Sequence, residues 1–177
     1  MIVIVNNGKG AQQLAQLIRA KNMIADPKKI PDKTSAYILS DGIVNKDAQK
    51  SIDKILKANK PILGVGLGAA YLAAAFGASI KETKPAKQES VSIKKPCPLL
   101  LDLKRVFAVV KDSKYAINNA PENFVVMASS QKYPFEVIME SQNPFFGVAF
   151  NPESGGDGRI ILTNFERFIE MWEKYHK

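Results

Sequence analysis

The sequence predicts an α/β fold on a largely parallel sheet, and three observations carry that prediction. Short, continuously apolar runs occur at Ile2–Val5, at Ala36–Leu39 and at residues 61–65. Each run closes on a glycine-containing turn: Asn6-Asn7-Gly8, Ser40-Asp41-Gly42 and Gly66-Leu67-Gly68. Segments with helical spacing separate the runs. Strands apolar on both faces, alternating with helices, are the pattern of a parallel sheet covered on both sides.

The elements follow in order. Ile2–Val5 reads as a buried strand. Leu14, Leu17 and Ile18 recur at helical spacing and predict a helix over 11–21. Ala36–Leu39 is a second buried strand. Ala48, Ile52, Ile55 and Leu56 then form the apolar stripe of a second helix, with Lys and Asp on its other face. The run 61–65 is a third strand, and a helix of small residues follows over 69–76. From there to residue 150 the segments are shorter and more β-like, with strands predicted at 89–93, 106–110, 125–128, 135–139 and 146–150. Pro98-Leu99-Leu100-Leu101 reads as a short helical turn. Ile161, Phe165, Phe168, Ile169 and Trp172 mark a closing helix over 160–172. No repeat, low-complexity segment or Pro-rich linker interrupts the 177 residues, so a single domain over 1–177 is expected.

The counts of rare residues limit the chemistry. The chain has one Cys, Cys97, and one His, His176. No disulfide can form within it, and no Cys/His zinc cluster can be built. A Ser–His or Cys–His nucleophile would depend on the second-last residue, where chains are usually too mobile to hold a base in place. Apolar residues make up 46% and charged residues 24%, the balance of a globular domain long enough to bury a full core. No run of eighteen apolar residues occurs, so no membrane span is predicted. The start of the chain lacks the basic region of a signal peptide, which predicts a cytoplasmic protein. No cofactor is predicted. The net charge of +8 suits an anionic partner and also ordinary solubility.

The most informative segment runs from Pro61 to Gly68. A strand enters a tight turn and then a helix. In many α/β enzymes such a turn is a nucleophile elbow, exposing a Ser or Cys beside helix N–H groups that hold an oxyanion. Here the tip is Gly66, which has no side chain. The segment alone reads equally as a plain strand–helix turn. Its N–H groups could receive an anion, but it lacks the Gly-Lys-Ser/Thr of a Walker loop and the third Gly of a dinucleotide fingerprint.

Five co-linear segments resemble the class I (triad) glutamine amidotransferases, most of all the small archaeal glutaminase subunits of GMP synthetase. They are MIVIVNNG at the start, ILSDG at 38–42, PILGVGLGAAYLAAAFG at 61–77, APENFVVMA at 120–128 and FGVAFNPE at 146–153. The resemblance covers nearly the whole chain. It implies a flavodoxin-like three-layer sandwich around a largely parallel, mixed central sheet. It also implies where the family's chemistry would lie. The nucleophilic Cys falls on Gly66, the catalytic His on Asn151, and the catalytic Glu on Glu153. The His-Gln after the nucleophile becomes Ala69-Ala70, and the Gln of the late motif becomes Ala149. One Gly of the oxyanion turn becomes Asp41, and a Ser-His pair falls near Val110-Lys111.

The candidate site therefore comprises Ser40, Asp41, Gly42, Gly64, Gly66, Leu67, Gly68, Ala69, Ala70, Ala149, Asn151 and Glu153. Amide hydrolysis by the family's route needs a thiolate to attack and an imidazole to carry protons. Gly and Asn supply neither, and a carboxylate at position 41 would repel a developing oxyanion. Cys97 lies between two prolines, well away from the elbow, and reads as an incidental thiol. Ser40 and Ser154 lie near the site without a base. Glu153 is either a relic or the partner of a nearby Lys. The altered pocket is either open or filled by Tyr71 or Phe150.

The leading functional expectation is a degenerate, non-catalytic homologue with a binding or regulatory role on a protein partner. A working glutaminase with rearranged chemistry and a nucleic-acid-binding adaptor are the alternatives. The segment 81–114 holds nine basic and four acidic residues. Its Lys81, Lys84, Lys87, Lys94, Lys95 and Lys111 form the expected partner-facing surface. Aromatic residues do not interleave with them as a nucleic-acid stacking platform requires.

Overall fold

The computed structural model describes residues 1–176. Eleven strands and four α-helices occur in the order β1 (Ile2–Val5), α1 (Ala11–Leu17), β2 (Asn22–Ala25), β3 (Ala36–Leu39), α2 (Lys46–Lys57), β4 (Ile62–Val65), α3 (Leu67–Ala74), β5 (Ile80–Glu82), β6 (Ala86–Ile93), β7 (Val106–Lys111), β8 (Tyr115–Ile117), β9 (Phe124–Ser129), β10 (Val137–Glu140), β11 (Phe145–Val148) and α4 (Arg159–Tyr175). Short 3-10 turns occupy Pro98–Leu100 and Pro152–Ser154.

One nine-stranded sheet has the order β2-β1-β3-β4-β11-β10-β9-β6-β7. The pairings from β2 to β11 are parallel and those from β11 to β7 antiparallel. Only β10 and β6 therefore run against the other strands. β5 and β8 form a separate antiparallel pair.

Strand alternation divides the core. Ile2, Ile4, Ile38, Leu63 and Val65 face α1 and α4, meeting Leu14, Ile161, Phe165 and Ile169. Val3, Val5, Tyr37, Leu39 and Ile62 face α2 and α3, meeting Ile52, Ile55, Leu67 and Tyr71. Because both faces of these strands are covered, they contain no polar alternation.

The structure corrects three expectations about elements. α1 ends at Leu17, not at residue 21, because Ile18 turns extended at φ −76° and ψ 123°. The Asn22 amide then donates to the carbonyls of Ala15, Ile18 and Ala20, satisfying acceptors that continued helix would have used. The chain after it forms β2, a strand absent from the sequence reading. β5 and β8, of three residues each, were also not anticipated.

Candidate functional site

Parallel strands that end at one edge bring the turns after them together. β1, β3, β4 and β11 all end at the edge where Asn7, Asp41, Gly66 and Asn151 meet. Gly66 sits at the tip of the β4–α3 turn with φ 55° and ψ −115°, a conformation L side chains rarely adopt. Its N–H donates to the Val148 carbonyl at 2.9 Å, which ties the tip to β11. Behind it, Gly68 lets α3 pack against β3, since a Cβ there would lie 2.1 Å from the Leu39 carbonyl oxygen.

The space beside Gly66 is taken. A Cβ built on Gly66 would lie 2.6 Å from both Cγ and Oδ1 of Asp41, and 3.0 Å from the Cβ of Ser113. The Asp41 carboxylate is almost fully buried, at 1% exposure, and is well supplied with donors. Oδ1 accepts from the Leu67 N–H and the Ser113 hydroxyl, both at 2.8 Å. Oδ2 accepts from the Asn151 amide at 3.1 Å. The anion expected at this turn is thus the chain's own side chain, and the leading N–H of α3 is already engaged. Ser40 holds the strand end in place, since its hydroxyl donates to the Asp41 carbonyl and accepts from the Asn7 N–H, each at 2.9 Å.

Asn151 links the two carboxylates of the site. Its amide nitrogen donates to Asp41 and, at 3.1 Å, to Glu153 Oε1. Its side-chain oxygen accepts from the Asp112 N–H at 2.8 Å, and its own N–H donates to the Val110 carbonyl at 2.8 Å. The polar capacity of its side chain is therefore used within the chain. Glu153 Oε2 has no partner among the described residues. Burial pushes the Glu153 carboxyl above the usual carboxylate range, and the Asp41 charge adds to that, against the hydrogen bond from Asn151. Of the two alternatives for Glu153, pairing with a lysine is not found among the described residues: Lys9 binds Asp112, at 2.7 Å.

Gly66, Ala69, Ala70 and Ala149 border a cavity of about 10 Å³, room for one water molecule. Tyr115, Tyr133 and Phe135 line its other side. Neither Tyr71 nor Phe150, the two candidates to fill it, is among its lining residues. Tyr71 bonds Asn45 through its hydroxyl, and Phe150 packs on Phe107.

Tyr133 is fixed from several directions. Its hydroxyl accepts from the Ile117 N–H at 3.0 Å and donates to the Ile117 carbonyl at 3.2 Å. Burial pushes its phenol up to about 12. Phe135 packs edge-on at 5.6 Å, and Lys111 Nζ lies 4.1 Å from the ring centroid.

Lys111 is the main correction to the expected basic surface. It is buried and pairs with Glu136 at 2.7 Å. Lys81, Lys84, Lys87, Lys94 and Lys95 are exposed as expected. They do not form one patch, because β6 separates Lys87 at its start from Lys94 and Lys95 beyond its end.

Sequence reasoning missed Ser113, Tyr133 and Glu136. Ser113 reaches Asp41 across 72 residues of chain, and no local motif announces that contact. Cys97 is buried, and its thiol is pushed up to about 11 by that burial. Ser154 is exposed. Among the described residues no group of three His, Cys, Asp or Glu side chains is placed to hold a metal, and no helix is long and apolar enough to cross a membrane.

Comparison with known proteins agrees with this architecture. A glutamine-hydrolyzing GMP synthase subunit of Methanococcus aeolicus is 30% identical over 93% of this chain and 95% of its own length. The protein of the same name from Methanocaldococcus jannaschii is equally similar over the same shares. A crystal structure described as a GMP synthase subunit of Thermoplasma acidophilum superposes with a TM-score of 0.88 at 25% identity, covering 98% of this chain and 95% of that one. A glutamine amidotransferase of Thermotoga maritima shares the fold, with a TM-score of 0.73 at 17% identity over 98% and 82% of the two chains. The model of the class-I glutamine amidotransferase family matches residues 4–168, and the chain belongs to that family.

Proposed function

We propose that this chain is a non-catalytic class I glutamine amidotransferase homologue that serves as a binding or regulatory subunit of a GMP synthetase-like complex. One observation carries the reading: the Asp41 carboxylate fills the place of a side chain on Gly66 and takes the Leu67 N–H. An oxyanion needs free, preorganised donors where its charge develops. Here the donor already serves a buried anion, and a second negative charge beside Asp41 is opposed.

Three further facts support the reading. Gly66 offers no nucleophilic atom. Asn151 does not titrate near neutral pH, and its amide is already committed to two carboxylates. The cavity bordered by Gly66, Ala69, Ala70 and Ala149 holds about one water, too little for an amino-acid amide. The role within a complex rests on the relatives, which are named as one subunit of GMP synthase and match this chain nearly end to end.

The test is covalent labelling by a diazoketone analogue of glutamine, read by intact mass. The expected result is no adduct, with or without a synthetase subunit present. A stoichiometric adduct that persists in Cys97→Ala would reveal a working nucleophile and overturn the reading.

A further inference from the structure

The cations beyond the end of β6 form a group of their own. Lys94 and Lys95 leave β6, and Lys104 and Arg105 lead into β7. The Ile93 N–H donates to the Arg105 carbonyl at 2.8 Å, extending the Ser92–Val106 register and bringing Lys94 opposite Lys104. All four side chains are exposed. None of them makes an ion pair among the described residues, whereas Arg167 binds Asp102 of the intervening loop at 2.8 Å. Two aliphatic side chains stand out beside them, Leu101 at 58% exposure and Val106 at 54%.

The frame that holds this group is firm. The Lys94 and Lys95 N–H groups both donate to the Met127 carbonyl. The Asn164 amide on α4 donates to the carbonyls of Leu99 and Leu101, at 2.9 and 2.6 Å, and the Leu99 and Leu100 side chains are buried. A surface ordered in advance loses less conformational freedom when it binds.

We propose that this end of the β6–β7 ribbon is a docking surface for an acidic protein segment carrying aliphatic side chains. Four unpaired cations favour an anionic partner, and the exposed Leu101 and Val106 favour one with apolar groups to bury. A nucleic acid would use phosphate contacts together with stacking on aromatic rings, and the large apolar side chains exposed here are aliphatic. The surface is distinct from the candidate site. Lys87 in β6 and Lys94 just past its end stand seven residues apart, roughly 23 Å at strand rise. Lys111, at the other end of β7, lies next to Val110, which binds Asn151. The proposal therefore does not depend on whether the chain hydrolyses glutamine.

Fluorescence anisotropy of the full chain tests it, using a labelled peptide rich in Asp and Glu with two leucines. Binding should weaken with added salt. It should fall at least about tenfold in the variant Lys94→Glu/Lys95→Glu/Lys104→Glu/Arg105→Glu, and less than about twofold in Lys81→Glu/Lys84→Glu/Lys87→Glu. Leu101→Ser/Val106→Thr should weaken the leucine-bearing peptide several-fold while leaving an all-Glu peptide unaffected. Absence of binding would overturn the proposal. So would equal losses from the two charge reversals, or tighter binding of single-stranded RNA or DNA through the same four residues. All substituted positions are exposed, and an unchanged thermal midpoint checks that each variant is folded.

Discussion

Gly66 and Asp41 exclude each other's alternatives. A methyl group at position 66 would collide with the Asp41 carboxylate, and the backbone there already requires a positive φ. Gly66→Ala should therefore cost about 1–3 kcal/mol, the usual range for overpacking. In Asp41→Gly/Gly66→Ala the collision is gone, and denaturant unfolding should show coupling of about 1 kcal/mol or more between the two sites. Glu153 makes a second prediction at this scale. Its folded pKa is raised, so its contribution to stability is complete below the unfolded carboxylate value and is lost as pH rises through the folded one. Glu153→Gln removes that loss while keeping an acceptor for Asn151. Its stability relative to wild type should grow between pH 4 and pH 7, read by urea unfolding at each pH. Position by position, much of this site was legible: Ser40, Asp41, Gly66, Asn151 and Glu153 are all brought to one place. The direction of the Asp41 side chain was not legible. In sequence it reads only as a repelling charge. In the fold, Leu67, Ser113 and Asn151 turn it into a hydrogen-bonded plug.

Lys111 ends β7 and Glu136 stands just before β10, so their ion pair joins two elements of the antiparallel half of the molecule. Glu136 also accepts from the Ser130 hydroxyl at 2.8 Å, and Lys111 lies over the Tyr133 ring that lines the cavity beside Gly66. Breaking one partner of a buried pair strands the other charge. Lys111→Met should therefore destabilise by about 3–5 kcal/mol, and Lys111→Met/Glu136→Leu should recover most of it. Chemical denaturation of the single and double variants checks this. The pair was not legible, because Lys111 sits in a basic segment of mostly exposed lysines, and it is the alternation of β7 that puts it on the buried face with Phe107 and Val109. The four-residue core strands were legible, since burial on both faces leaves an unbroken apolar signal. β2 was not, because it is an edge strand with Met23 and Ile24 partly exposed. The end of α1 was missed because side-chain bonds from Asn22 halt a pattern whose apolar spacing runs on to Ile18.

At the scale of the whole chain, a basic balance that reads as one surface is divided by the fold. Lys81, Lys84 and Lys87 lie on the exposed β5–β6 segment, Lys94 and Lys95 lie beyond the far end of β6, and Lys111 is buried. The sheet draws strands from both halves of the sequence, with β11 inserted beside β4 and α4 packed on β11 through Phe165 and Phe168 against Phe146. We propose that the chain folds as one unit, and calorimetry should then show a single unfolding transition with matching calorimetric and van't Hoff enthalpies. Two resolved transitions would divide it into domains. The central claim, loss of catalysis by substitution and plugging, is tested most directly by ammonia release from glutamine. The purified chain is assayed alone and with a GMP synthetase subunit that lacks its own glutaminase. The account predicts release no faster than from buffer under both conditions. Sustained turnover that survives Cys97→Ala would contradict it.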